Sequence, residues 1–220
     1  RNMGIEILPP DINESSGEFS VSGNAVRYAL LAIKSIGRPV IEFICKEKEN
    51  HGPYKSIQDF LTRIQDSDCN KRAIEHFIKA GALDGLEDNR RKMIYNIDKV
   101  LSVIEDTRRF SSENQMDLFG EADNTQSFKL SDIDEMPENE LLAMEKASTG
   151  MYLSGHPMNN YRAFAQNSMF TPIMNINLKR VGDGRRVSVI GVLGDIKLKQ
   201  LKNKNTVAYT TLEDTNAVID

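Results

Sequence analysis

Between two apolar-patterned stretches, Lys34-Ser35-Ile36-Gly37-Arg38 has the residue types of a phosphate grip. A tight, glycine-bearing turn exposes backbone N–H groups at the start of a helix, where partial positive charge collects and an anion is cradled. Lys34 and Arg38 would add charge there without reading bases. An ordinary helix–helix turn would use the same residues, and that alternative stays open. A second turn, Ile78-Lys79-Ala80-Gly81-Ala82-Leu83, offers Lys79 as its cation. Its glycine is shifted relative to the first, which predicts a structural pair-mate more than a phosphate grip.

Two further clusters can bind rather than react. In Gln115-Met116-Asp117-Leu118-Phe119, a carboxamide precedes two adjacent apolar side chains within a polar stretch. Leu118 and Phe119 can anchor in a preformed pocket while Gln115 hydrogen-bonds at its rim. The alternative is a small satellite contact against the neighbouring helices. Later, Lys197, Lys199, Lys202 and Lys204 accompany Tyr209, which suits a groove for single-stranded nucleic acid, although lysine runs are often solvated hairpins.

The residues that invite a catalytic reading lack partners. His156 stands beside Pro157 with no nucleophile or carboxylate pair nearby in sequence, so it reads as a turn residue. His76 borders an apolar stripe, and His51 sits in a loop with Gly52 and Pro53. Asp132, Asp134 and Glu135 read as a solvated acidic run rather than a magnesium site. Cys45 and Cys69 lack a CxxC partner or a histidine at ligand spacing, which argues against zinc and for a reducing compartment. The expectation is therefore no catalytic residue, no metal and no cofactor within these residues.

The elements that must position these groups follow from periodicity. Residues 1–23 read as an extended lead-in. Residues 24–109 read as five short helices. Val26, Leu30 and Ile33 would share a face of the first, with Pro39, Val40, Phe43 and Ile44 opening the second. Ser56 with Asp59 caps the third, which carries Ile57, Phe60, Leu61 and Ile64. Asn70 caps the next and Gly81 closes it, and Asn89 starts the last, with Met93, Ile94, Ile97, Val100, Leu101 and Ile104. Residues 110–135 are polar and acidic, a predicted exposed linker. Residues 136–180 read as a helical connector around Leu141, Leu142 and Glu145. Over 181–220 the period becomes two: Val187, Val189 and Gly191 alternate, then Val207 to Leu212, with Lys202-Asn203-Lys204-Asn205 as a hairpin loop. The fold class is α+β, mostly α.

The chain has 220 residues, a formal net charge of −4, and apolar and charged fractions of 40% and 27%, ordinary for a soluble domain. Binding to nucleic acid requires local basic surface rather than a basic total. No stretch approaches the roughly 20 apolar residues of a membrane helix, and no export signal opens the chain. The start at Arg1 and the small number of strands before Asp220 suggest a piece of a longer protein.

The first turn resembles a helix-hairpin-helix element, in which glycine usually stands at both hairpin positions; here Ser35 replaces the first. Gln115 to Phe119 resembles the peptide, Gln-x-x-Leu-Phe, by which bacterial proteins dock on the DNA sliding clamp. Residues 186–214 resemble the opening strands of an OB-fold. Taken in order, Met3 to Asn13, Val26 to Gly37, Gly52 to Phe60, Ile78 to Asp84, Gly150 to Pro157 and Thr211 to Asp214 resemble the alpha subunit of bacterial DNA polymerase III after its fingers. The resemblance implies a tandem helix-hairpin-helix domain on product duplex, an internal clamp-binding linker and the start of an OB domain near single-stranded template. It implies magnesium-dependent nucleotidyl transfer by the parent polymerase, other replicase subunits bound through regions outside this chain, and a cytoplasmic location without membrane contact. A stand-alone repair or recombination adaptor and the error-prone paralogue of the polymerase are the rival readings.

Overall fold

The computed structural model describes residues 5–113, 130–194, 196–202 and 204–219. They fall into two compact units, one spanning Glu6–Ser154 and the other built on Gly155–Asp220. Helices dominate the first, and short strands close the chain, so the α+β class holds.

The lead-in is not a passive extension. Strands β1 (Glu6–Leu8), β2 (Ser20–Ser22) and β3 (Ala25–Arg27) form one sheet, with β3 central, parallel to β1 and antiparallel to β2. Ile12 is buried, and its N–H donates to the Ala82 carbonyl at 2.8 Å. Lys48 Nζ donates to the carbonyls of Ile12, Asn13 and Ser15. The helix expected over Val26–Ile33 is absent. Val26 pairs with Ile7 and Val21, and only a 3-10 turn, Leu30–Ala32, follows. Sheet pairing, with Val21 across a tight turn and with Ile7 farther back, outweighed the helical spacing. Leu30 and Ile33 are still buried, as the stripe required.

The remaining helices match their patterns. They are α1 (Arg38–His51), α2 (Ile57–Arg63), α3 (Lys71–Lys79) and α4 (Arg90–Glu113). Ser56 Oγ accepts from Asp59 N at 3.1 Å, Asn70 Oδ1 from Ala73 N at 3.0 Å, and Asn89 Oδ1 from Lys92 N at 2.8 Å. Each cap satisfies a helix-start N–H that the helix itself cannot. Their apolar faces meet around Phe60 and Phe77, whose rings pack edge to face at 6.1 Å, with Ile44, Ile78, Met93 and Ile97. Burial drives the Cys69 thiol up to about 12, so it stays protonated, and both cysteines are free.

Residues 130–135, read as the end of an exposed linker, are instead strapped along α4. Asn96 donates to Ser131 O and accepts from Ser131 N at 3.0 Å, and Asn89 Nδ2 donates to Ile133 O at 2.6 Å. The Glu135 carboxylate accepts from Arg90 N at 2.6 Å and Arg91 N at 3.0 Å, capping α4 from a distance of many residues. Partial burial pushes the Glu135 pKa upward. The N–H groups of Met136, Arg91 and Arg90, helped by the Arg90 charge, outweigh that and hold it below the ordinary value. Glu135→Gln is expected to cost about 1 kcal/mol, the worth of a cap. Because the folded pKa is depressed, this contribution is present above the unfolded value near 4.5 and is lost as pH falls through the folded one. Urea melts at pH 7 and pH 3 check it: the gap between wild type and variant should shrink at the lower pH.

Helix α5 (Glu138–Thr149) closes the first unit, ending at Gly150 in the left-handed region at φ 89°. Its Glu145 is fully buried, and the carboxylate accepts from Leu153 N at 2.9 Å and from Ser154 N and Oγ at 3.1 Å. Three donors satisfy oxygens that would otherwise be costly to bury.

In the second unit, α6 (Arg162–Ala165) and α7 (Ile173–Asn177) precede five short strands. Strands β4 (Val192–Leu193), β7 (Leu212–Glu213) and β8 (Val218–Ile219) form one sheet in the order β4-β7-β8, and β5 (Lys197–Gln200) pairs with β6 (Thr206–Tyr209). The strand expected from Val187 begins only at Val192, and the run expected from Val207 to Leu212 is divided between β6 and β7. No barrel closes among the described residues. Asp214 Oδ1 accepts from Asn216 N and Ala217 N, and its Oδ2 from Ile173 N at 2.9 Å, so one carboxylate shapes the β7–β8 turn and starts α7.

Candidate nucleic-acid interface

The first turn lies open on the surface: Lys34, Ser35, Gly37 and Arg38 are all exposed. Ser35 sits at φ 65°, in the left-handed region that glycine takes without cost and serine takes with strain. The bend that glycine would make is therefore made by serine. Gly37 is the N-cap of α1, with no side chain to occupy the helix start. Among the described residues, the N–H groups of Ser35, Ile36, Gly37 and Arg38 donate to no protein acceptor. Two of these donors, those of Gly37 and Arg38, stand at the start of α1, where unpaired N–H groups can hold an anion.

Lys34 is engaged elsewhere. Its Nζ donates to Ala147 O at 2.8 Å and its N–H to Ser148 O at 2.9 Å, while Tyr28 Oη donates to Thr149 O at 2.8 Å. These are orphan carbonyls at the C-terminus of α5, where positive charge is favoured. Arg38 Nη1 stands 3.6 Å from Glu18 Oε1, with both side chains well exposed, a pair of little strength.

The second turn has different chemistry. Ala80, Ala82 and Leu83 are fully buried, and Gly81 takes φ 78°. Arg90, buried, grips Asp84 through Nε at 2.9 Å and Nη2 at 2.6 Å across the space a Gly81 side chain would need. Lys79 Nζ pairs with Glu75 Oε2 at 3.3 Å. A sealed, cross-braced turn cannot present its amides to a ligand.

The cations of the two turns nevertheless share a field. The His76 pKa is lowered first by burial, then by Lys79, Arg72 and Lys34, against an opposing push from Glu75. Arg72 is exposed on α3 and went unnoticed in the sequence. The available signal was its spacing, since residues 72, 76 and 79 fall on one helical face.

On the β5–β6 hairpin, register settles which side chains cooperate. Lys197 pairs with Tyr209 and Lys199 with Val207, so Lys197, Lys199 and Tyr209 project from one face and Leu198 from the other. Tyr209 is 53% exposed. Lys202 and Lys204 are exposed at the loop, where Lys204 takes φ 61°. Gln115, Met116, Asp117, Leu118 and Phe119 lie outside the described residues. His156 is buried, and its Nδ1 accepts from Met158 N at 3.1 Å, a turn-forming role. No group of three or more His, Cys, Asp or Glu among the described residues is placed to hold a metal ion. No helix among them is long and apolar enough to cross a membrane.

Residues 4–93 match the helix-hairpin-helix motif family. The chain is 34% identical over 224 residues to the DNA polymerase III subunit alpha of Borreliella burgdorferi, covering 99% of this chain and 19% of that subunit. It is 33% identical over 228 residues to that of Mycobacterium tuberculosis, with 100% and 19% covered. With the Thermus aquaticus subunit it shares 31% identity over 221 residues, with 100% and 18% covered. The chain thus spans about a fifth of the length of these relatives. With a helix-hairpin-helix region at its N-terminal side and similarity that runs from end to end, the chain belongs to the family of bacterial DNA polymerase III alpha subunits.

Proposed function

We propose that this chain is the non-catalytic, DNA- and clamp-binding region of a bacterial replicative DNA polymerase acting in the cytoplasm. Magnesium-dependent nucleotidyl transfer is assigned to the rest of such a polymerase. The observation that carries the reading is the exposed turn at residues 34–38, with its unoccupied N–H groups at the start of α1 and Arg38 beside them. Duplex DNA supplies the complementary ligand, a phosphate rail that amides and cations hold without regard to sequence. Arg72, Lys79 and Lys34 all bear on His76, with Lys79 paired to Glu75, and Lys34 contributes charge while its ammonium braces α5. The face bearing Lys197, Lys199 and Tyr209, with Lys202 and Lys204 at the adjoining loop, suits an unpaired strand in the manner of an OB-fold. Gln115 to Phe119 would tether the region to the sliding clamp, raising the local concentration of the polymerase at the primer end.

Gly37→Asp tests the turn. An added Cβ at Gly37 meets nothing closer than Pro39 Cδ at 3.6 Å, so the substitution is spatially tolerated. Aspartate is also a strong N-cap, so it should hold or slightly raise the melting temperature. The same carboxylate occupies the amides and repels phosphate. Affinity for blunt duplex, read by anisotropy, should fall about tenfold, near 1.4 kcal/mol. A variant that melts like wild type and binds duplex equally well would remove the turn from the interface.

A further inference from the structure

The second unit contains a cleft of about 620 Å³ whose lining neither turn nor lysine face accounts for. That size falls within the roughly 300–1,000 Å³ of sites for small ligands. Its chemistry is uneven in a telling way. Asn159, Gln166, Asn167 and Asn216 bring carboxamides to the lining, although the Asn167 Oδ1 already accepts from Met169 N at 3.1 Å; Phe170 brings an aromatic ring and Arg162 the one Lys or Arg side chain. The Asp214 carboxylate also borders the cleft, but its oxygens already accept three backbone N–H donors. Phe170 is backed by Phe164 at 5.3 Å, and Phe164 is itself 59% exposed. Arg162 is exposed.

Carboxamides both donate and accept, which matches the edge of a nucleobase, where the two kinds of group alternate. An aromatic face accommodates any base by stacking, and a lone guanidinium suits one phosphate. We propose that this cleft receives one unpaired nucleotide of a DNA strand, its base against Phe170 and among the carboxamides, its phosphate at Arg162. The proposal rests on the reading of the chain as a DNA-binding region, but it uses none of the residues assigned to duplex or to the lysine face.

The test uses the full 220-residue chain and fluorescein-labelled (dT)12 as probe, with a blunt duplex alongside. Ser168→Trp, on the exposed lining, fills the cleft without altering charge. It should weaken (dT)12 binding about tenfold, as loss of one stacked base does, and leave the slope of log Kd against log salt unchanged. Arg162→Ala should weaken binding and reduce that slope by about 1 × 0.7, the value for one phosphate on a single strand, and Arg162→Lys should restore the slope. Blunt-duplex affinity should not move in any of the three. If (dT)12 binds both variants as wild type does, or does not bind the wild-type chain, the cleft is not a nucleotide site. Failure of the duplex arm to respond to Gly37→Asp would count against the turn alone.

Discussion

Gly81→Ala is expected to lower the stability of the helical unit by about 3 kcal/mol. Two effects add. Alanine at φ 78° carries about 1 kcal/mol of left-handed strain. The new Cβ would also meet the Arg90 guanidinium, with its Cζ 2.9 Å away and Asp84 Oδ2 at 3.0 Å. Arg90 has only 7% of its side chain exposed, and the guanidinium that would have to move is the group that holds Asp84, so moving it disrupts that pair. Separating a buried pair costs about 3–5 kcal/mol. Asp84 retains 39% exposure, which brings that contribution down to about 2 kcal/mol. Gly23→Ala is the control: it has φ 60° but nothing within 4 Å, so only the strain of about 1 kcal/mol should appear. Equal urea midpoints for the two variants would show that the Arg90 pair contributes nothing.

Leu118→Ala combined with Phe119→Ala is expected to weaken sliding-clamp binding on the order of 100-fold, about 2.7 kcal/mol, while leaving the melting curve unchanged. Where a short peptide docks by a few apolar anchors, those anchors carry most of the affinity. The retained melting curve matters as much as the lost affinity. If the double variant melts early, the two side chains serve the fold. If clamp affinity is unaltered by titration calorimetry, the peptide is not the tether.

The sequence was most legible where structure is local. The stripes of α2, α3 and α4 and the caps Ser56, Asn70 and Asn89 stand where periodicity placed them, because each depends on neighbours within a turn or two. Readings failed where a partner lies far along the chain. Val26 has the spacing of a helix yet is claimed by Ile7, well back along the chain, as well as by its near neighbour Val21. Glu135 has the company of a solvated acidic run yet caps α4 through Arg90 and Arg91. Lys34 could be read as a surface cation, but nothing in its neighbourhood reveals that Ala147 and Ser148 lie against it. The left-handed Ser35 is a subtler case. Residue type alone argues against that conformation, and the sequence shows only that serine stands where such hairpins usually carry glycine.

The ties from Tyr28 and Lys34 to the last carbonyls of α5 have a kinetic consequence. A loose loop must be ordered when its ligand arrives, at on the order of 1–2 kcal/mol per residue. Here folding has already fixed the bend, so the proposed engagement with DNA would be a docking of two preshaped bodies. Stopped-flow association should then rise linearly with DNA concentration, with no plateau set by a slow rearrangement of the protein.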